Sequence, residues 1–262
     1  MKQLIVGGLL AALVPAGAMA QSAFDGTWKV DLNKVQMPKK PDVYLLQNGR
    51  YDCRTCAPSI SVKADGTDQN VTGHPYYDTI ALKVVDGHTI QETDRKAGKT
   101  VAMSTTKVAA DGKTATFEFT DSSNTNSAPV TGKGKLKRVD KGPTGSHAIS
   151  GSWLVTGFDD VSDNGLTFTY KTDGDKLSMT TQTGQSYSAK TDGTDAPYNG
   201  DPGTTSVSVK KVGKNGLKET DKRNGKVISV TTMTVAADGS SMAISFKDEM
   251  RGMTTSYVAT KK

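Results

Sequence analysis

The sequence predicts an all-β protein built from two tandem antiparallel β-meander units. Three observations carry that reading: apolar and polar side chains alternate strictly, Asn-Gly and Asp-Gly pairs recur along the chain, and the chain repeats itself.

The alternation comes first. Ile80, Leu82 and Val84 face one way, with Thr79, Ala81 and Lys83 facing the other. Ala115, Phe117 and Phe119 alternate with Thr116 and Glu118, and Met242, Ile244 and Phe246 alternate with Ala243 and Ser245. Period two with one apolar face marks a half-buried strand. Turn pairs separate these runs, among them Asn48-Gly49, Asp86-Gly87, Asp111-Gly112 and Asn224-Gly225. Tight hairpins favour these residues because both central positions need positive φ. About eight or nine strands per unit at regular spacing point to a barrel or sandwich.

The repeat sets the domain organisation. Lys63-Ala64-Asp65-Gly66-Thr67-Asp68 matches Lys190-Thr191-Asp192-Gly193-Thr194-Asp195, and Val108-Ala109-Ala110-Asp111-Gly112 matches Val235-Ala236-Ala237-Asp238-Gly239. A constant offset of 127 residues serves from 63 to 119 without a gap. Each copy opens with Gly-x-Trp, at Gly26-Thr27-Trp28 and Gly151-Ser152-Trp153. The expected units are residues 21–140 and 149–262, with 141–148 as a linker rich in Gly, Ser and Pro.

Residues 1–20 read as an export signal: Lys2, an apolar run from Leu4 to Val14, the breakers Pro15 and Gly17, then Ala18-Met19-Ala20. Cleavage is expected between Ala20 and Gln21, which places the protein in the periplasm or outside the cell. The apolar run is shorter than the roughly 20 residues a bilayer core needs, and no later segment spans a membrane as a helix. The net charge of +6 is spread as lysines on outward strand positions and in turns. With no basic cluster interleaved with aromatics, nucleic-acid binding is excluded as a reading.

Gly26-Thr27-Trp28 and Gly151-Ser152-Trp153, each opening an up-and-down meander, resemble the lipocalin/avidin (calycin) superfamily. That resemblance implies lipocalin-like β-barrels, each with its Trp closing one end and a small-molecule pocket at the other. The duplicated pattern also resembles uncharacterised secreted proteins of environmental bacteria, which brings no activity with it. On the bland reading, Trp28 and Trp153 simply plug the ends of two cores.

Cys53 and Cys56 are the two cysteines, and in an oxidising compartment they are expected to form a disulfide across a hairpin turn. A thioredoxin-like redox pair needs a helix that nothing here supplies. Gly73-His74-Pro75-Tyr76-Tyr77-Asp78 lies in a long loop, and loops of that length often cover a barrel mouth. A ligand site is sought first at His74, Tyr76 and Tyr77, with Tyr198 and Asn199 as counterparts and the two tryptophans beneath. The competing reading packs the same loop onto its own barrel. Glu92/Asp94 and Glu219/Asp221 recur at a spacing of two, which reads as a solvated strand face satisfied by lysines. The acidic turn from Asp159 to Gly165 reads as an ordinary loop.

No catalytic residue, metal set or cofactor motif stands out, since nothing forms a nucleophile, base and orienter set. The reading is therefore of an exported binding protein for a small apolar or amphipathic ligand. A structural or protein-interaction module of the envelope, with filled barrels, is the alternative, and a hydrolase comes third. The oligomeric state is left open.

Overall fold

The computed structural model describes residues 22–123 and 128–262. The expected export signal and its expected cleavage point lie outside the described residues. The first repeat carries β1 (Gly26–Val30), β2 (Asp42–Gln47), β3 (Arg50–Cys53), β4 (Ile60–Lys63), β5 (Gln69–Asn70), β6 (Thr79–Val84), β7 (Thr89–Lys96), β8 (Lys99–Val108), β9 (Thr114–Asp121) and β10 (Val130–Lys141). The second carries β11 (Gly151–Val161), β12 (Thr167–Asp173), β13 (Lys176–Thr181), β14 (Ser186–Lys190), β15 (Asp192–Asn199), β16 (Ser206–Val212), β17 (Gly216–Arg223), β18 (Lys226–Val235), β19 (Ser241–Asp248) and β20 (Met253–Lys261). The protein is all-β, and every strand pairing is antiparallel. Ten strands per repeat exceed the expected eight or nine, because β5 is two residues long and has no alternating run to announce it.

The Asn48-Gly49 and Asn224-Gly225 hairpins have the expected chemistry, whereas neither Asp86 nor Gly87 takes positive φ and at Asp111-Gly112 only the glycine does. Asn48 and Gly49 sit at φ 52° and 72°, and Asn224 and Gly225 at 51° and 80°. Ala97 takes the place of Asn224 in the first repeat and is held at φ 48°. An L side chain other than Asn or Asp pays about 1–2 kcal/mol in this region. Ala97→Asn should therefore raise stability by about 0.5–1 kcal/mol, read as a higher urea midpoint at unchanged slope.

Sheet membership crosses the repeat boundary. A closed barrel runs β1-β12-β13-β14-β15-β16-β17-β18-β19-β20, and the other ten strands form a sheet ordered β4-β3-β2-β11-β10-β9-β8-β7-β6-β5. The Gly-x-Trp strand of each repeat thus completes the other repeat's sheet. Trp28 pairs with Phe168 and Lys261, while Trp153 pairs with Asp42 and Arg138. This corrects the division at 141–148. That segment is a tied turn between β10 and β11 of one sheet, with Gly142 N–H donating to Ser150 O (3.1 Å) and His147 N–H to Leu46 O (2.9 Å). The chain instead passes between sheets at 31–41 and at 162–166. The pairing itself shows it: β11 ladders with β10 along its whole length and with β2, whereas β12 ladders with β1.

The second sheet also curls on itself. Its terminal strands β4 and β5 do not pair, but Gly66 N–H donates to Leu82 O (2.8 Å) and Asp65 bridges Lys83. In the closed barrel the matching seam is laddered, with Tyr187 opposite Tyr198.

Each tryptophan is fully buried and caps one core. The Trp28 indole N–H donates to Phe24 O (2.8 Å) and that of Trp153 to Ile149 O (2.7 Å). A cation from the neighbouring strand covers each ring: Lys261 at 4.9 Å from the Trp28 ring centroid and Arg138 at 4.0 Å from that of Trp153. Arg138 also clasps three carbonyls, of Gly112, Ala148 and Ser150. Gly151 has φ 127°, and a Cβ there would collide with the Asp140 carbonyl, so the motif's glycine is a backbone requirement.

Candidate functional site

The phase of β7 decides where its acids go. Ile90 is buried, and on a strand every second residue shares its face, so Glu92 and Asp94 turn inward with it. Gln91, Thr93 and Arg95 take the outer face. Leu217 fixes β17 in the same way and sends Glu219 and Asp221 into the closed barrel. The expectation of a lysine-satisfied solvated face is overturned: both acidic pairs lie inside. The signal that finds them is the aliphatic residue two positions upstream.

The two interiors differ. In the closed barrel the acids have partners: the Tyr187 hydroxyl donates to Glu219 Oε2 (2.6 Å) and the Ser229 hydroxyl to Asp221 Oδ2 (2.7 Å). Tyr170 reaches Met233 Sδ at 3.1 Å, and Tyr187 and Tyr198 pack at 5.8 Å between ring centroids. Strand register identifies the equivalent positions in the sheet of residues 42–161. Tyr187 lies opposite Met179 as Ile60 lies opposite Cys53, and Ser229 lies opposite Asp221 as Ala102 lies opposite Asp94. Both acid partners are thus missing from the first acidic pair, and Met233 is replaced by Thr106.

A cavity of about 260 Å³ occupies the vacated space. Its polar wall is Glu92, Tyr44, Tyr51, Tyr77, Ser104 and Thr106, and Ile60, Ile90, Phe117, Leu136, Ile149 and Val155 supply the apolar wall. Tyr44 and Tyr51 stack at 6.0 Å. Neither Glu92 nor Asp94 has a hydrogen bond or ion pair among the described residues, and Asp94 Oδ1 is fully buried without a partner. Burial pushes the Glu92 carboxyl up to about 7. Burial, then repulsion from Glu92 and Asp121, pushes Asp94 up to about 8. Burial likewise raises Glu219 to about 8, with Asp221 adding to it. The Tyr44, Tyr51 and Tyr77 hydroxyls are held protonated chiefly by burial.

The structure separates the residues that the loop sequence groups together. Tyr77 enters the cavity wall, and the half-buried His74 ring stacks on it at 4.7 Å. Partial burial lowers the His74 pKa. Tyr76 turns the other way and donates to Asp201 Oδ1 (3.0 Å), tying this loop to the closed barrel. Tyr198 packs in the closed barrel, and Asn199 is exposed at the end of β15, opposite Ser186. Trp28 and Trp153 lie in the two cores and not on the cavity wall. Tyr44, Tyr51, Glu92 and Asp94 are the residues that sequence reasoning left out.

Cys53 and Cys56 form the expected disulfide, with Cys53 in the core and Cys56 on the cavity rim. Register places Cys53 at the position of Met179: the chain between Cys53 and its partner Ile60 is one residue shorter than that between Met179 and its partner Tyr187. In the acidic turn Asp163 pairs with Lys29 (2.6 Å) and Lys262 (3.8 Å). Among the described residues no helix is long and apolar enough to cross a membrane. Neither a protein-family model nor a curated protein matches the chain.

Proposed function

We propose that the barrel of residues 42–161 binds a small amphipathic molecule, with the closed barrel, where Tyr187 and Met233 fill the equivalent space, as its structural companion. The observation that carries this reading is the cavity faced by an unpartnered Glu92, set beside a second copy in which the same space is filled by Tyr187 and Met233. Unpaired buried polar groups cost free energy unless something meets them, and a ligand with a polar end is what this cavity lacks. Its volume lies just below the roughly 300–1,000 Å³ usual for small-molecule sites, so the ligand is small.

The lipocalin/avidin resemblance favours the same reading, since hollow barrels of that kind hold one ligand. Export to an oxidising compartment is part of the proposal. The formed disulfide supports it, as does the Ala18-Met19-Ala20 motif in the sequence.

Copying the closed barrel into the hollow one tests the function. Ile60→Tyr with Thr106→Met should fill the cavity and give Glu92 a phenol partner. Native mass spectrometry of the protein purified from its own host should show an added mass in the wild type that disappears in this double variant. A clean protein mass in both would sink the binding reading and leave a structural or protein-docking module.

A further inference from the structure

We infer that the molecule held in this cavity carries a protonated amine, seated against Glu92 with Asp94 behind it and faced by the Tyr44, Tyr51 and Tyr77 rings. The inference rests on the binding reading above and narrows its ligand class.

Three observations carry it. The first is the set of charges around the cavity. From β7 come Glu92 and Asp94, from β2 Asp42, and from β9 Asp121 within electrostatic reach of Asp94. Arg251 of the closed barrel acts electrostatically on Tyr44, and it is engaged by the Asp42 carboxylate and the Thr55 carbonyl (3.2 Å). The flanking strands β6 and β8 present Leu82 and Ser104 to Glu92, and neither brings a charge. Burial favours the protonated form of Glu92 and Asp94 while the cavity is empty; a cation seated against Glu92 would favour its carboxylate, whereas an anion finds no free countercharge there.

The second observation is the loss of both acid partners relative to the closed barrel. Asp221 Oδ1 is unpartnered as Asp94 Oδ1 is, so the contrast lies in the phenol that meets Glu219 and the hydroxyl that meets Asp221 Oδ2; removing both while keeping two carboxyls leaves acceptors in search of a donor. A neutral alcohol supplies one donor, whereas an ammonium supplies up to three and the countercharge.

The third is the aromatic wall. Tyr44 and Tyr51 stack at 6.0 Å, and Tyr77 faces the same cavity beneath His74. Ring faces attract a desolvated cation, and with a carboxylate they make the box that amines favour. The aliphatic side formed by Ile60, Ile90 and Leu136 then takes the ligand's apolar body.

The test is calorimetric titration of the full exported chain with phenethylamine and n-butylamine, and with their neutral counterparts 2-phenylethanol and n-butanol. At least one amine should bind roughly tenfold or more tighter than its alcohol, as expected for a charge-assisted hydrogen bond. Glu92→Gln, which keeps the shape, should erase that preference while the thermal melt shows a folded protein. Ile60→Tyr with Thr106→Met should abolish binding of amine and alcohol alike. Alcohols that bind as well as the amines, an amine preference that survives Glu92→Gln, or a host ligand without a basic nitrogen would overturn the amine while leaving the cavity a binding site. If no probe binds and no ligand comes from the host, both readings fall together.

Discussion

Trp28→Ala is expected to unfold the closed barrel of residues 167–261 and leave the sheet of residues 42–161 intact, although Trp28 belongs to the first repeat. The indole is fully buried among Phe24, Tyr170 and Leu177, and removing a buried ring of that size costs about 3–5 kcal/mol. The substitution also deletes the donor to Phe24 O and the surface that Lys261 covers. Strand β1 is five residues long and closes the barrel by pairing on both sides, so its loosening opens both seams. Hydrogen exchange read by mass spectrometry decides the matter. Protection should collapse across 167–261 and persist across 42–121, with thermal unfolding splitting into two transitions. Trp153→Ala should give the reciprocal pattern. Collapse of 42–121 in the Trp28 variant would mean that each repeat keeps its own first strand, and the exchanged topology would be wrong.

That topology shows where the sequence stops being informative. The alternation of Ile80-Ala81-Leu82 or Met242-Ala243-Ile244 states which residues face a core, because period two leaves no other arrangement with one apolar face. It does not state which core. Gly26-Thr27-Trp28 and Gly151-Ser152-Trp153 are alike, so the motif alone cannot tell a strand that closes its own unit from one that closes its neighbour. Only the strand pairing decides, and reading the Gly-Pro-Ser segment at 141–148 as a linker hides that β10 and β11 are hairpin partners. The candidate site was closer to hand. The offset of 127 sets Ser229 over Ala102 and Glu219 over Glu92, so the loss of an acid's partner was written in the alignment of the halves. It stays unread until the acids are known to point inward. The burial of Ile90 and Leu217 establishes that, and a hydrophilic Glu-Thr-Asp run conceals it. His74 drew attention as a titratable residue in a long loop, yet the structure uses its ring to back Tyr77.

Burying two acidic pairs should also give the protein a pH dependence of unusual sign. Glu92, Asp94 and Glu219 have folded-state pKa values of about 7, 8 and 8, and Asp221 is raised as well, in every case mainly through burial. In the unfolded chain these groups titrate near 4. Between about pH 4 and pH 8 the native state therefore binds more protons than the unfolded state. Stability must fall as pH rises across that window, by about 1.4 kcal/mol per pH unit for each extra proton held. Exposed Asp65, Asp86, Asp163, Asp192 and Asp238 have lowered pKa values and act the other way, but only as pH falls toward and below their unfolded value near 4. His74, with its lowered pKa, adds stability as pH rises through its own titration, so the acidic contribution is best isolated by difference. Glu92→Gln should raise the melting temperature of the 42–161 sheet at pH 8 and change it little at pH 4. Glu219→Gln should do the same for the closed barrel, since Gln still accepts from Tyr187. A wild type whose melting temperature climbs from pH 5 to pH 8, with both variants tracking it in parallel, would place these carboxyls in water. A ligand amine would change this behaviour in one barrel alone: with the cation bound, the Glu92 contribution to the slope should shrink, while that of Glu219 stays as it was.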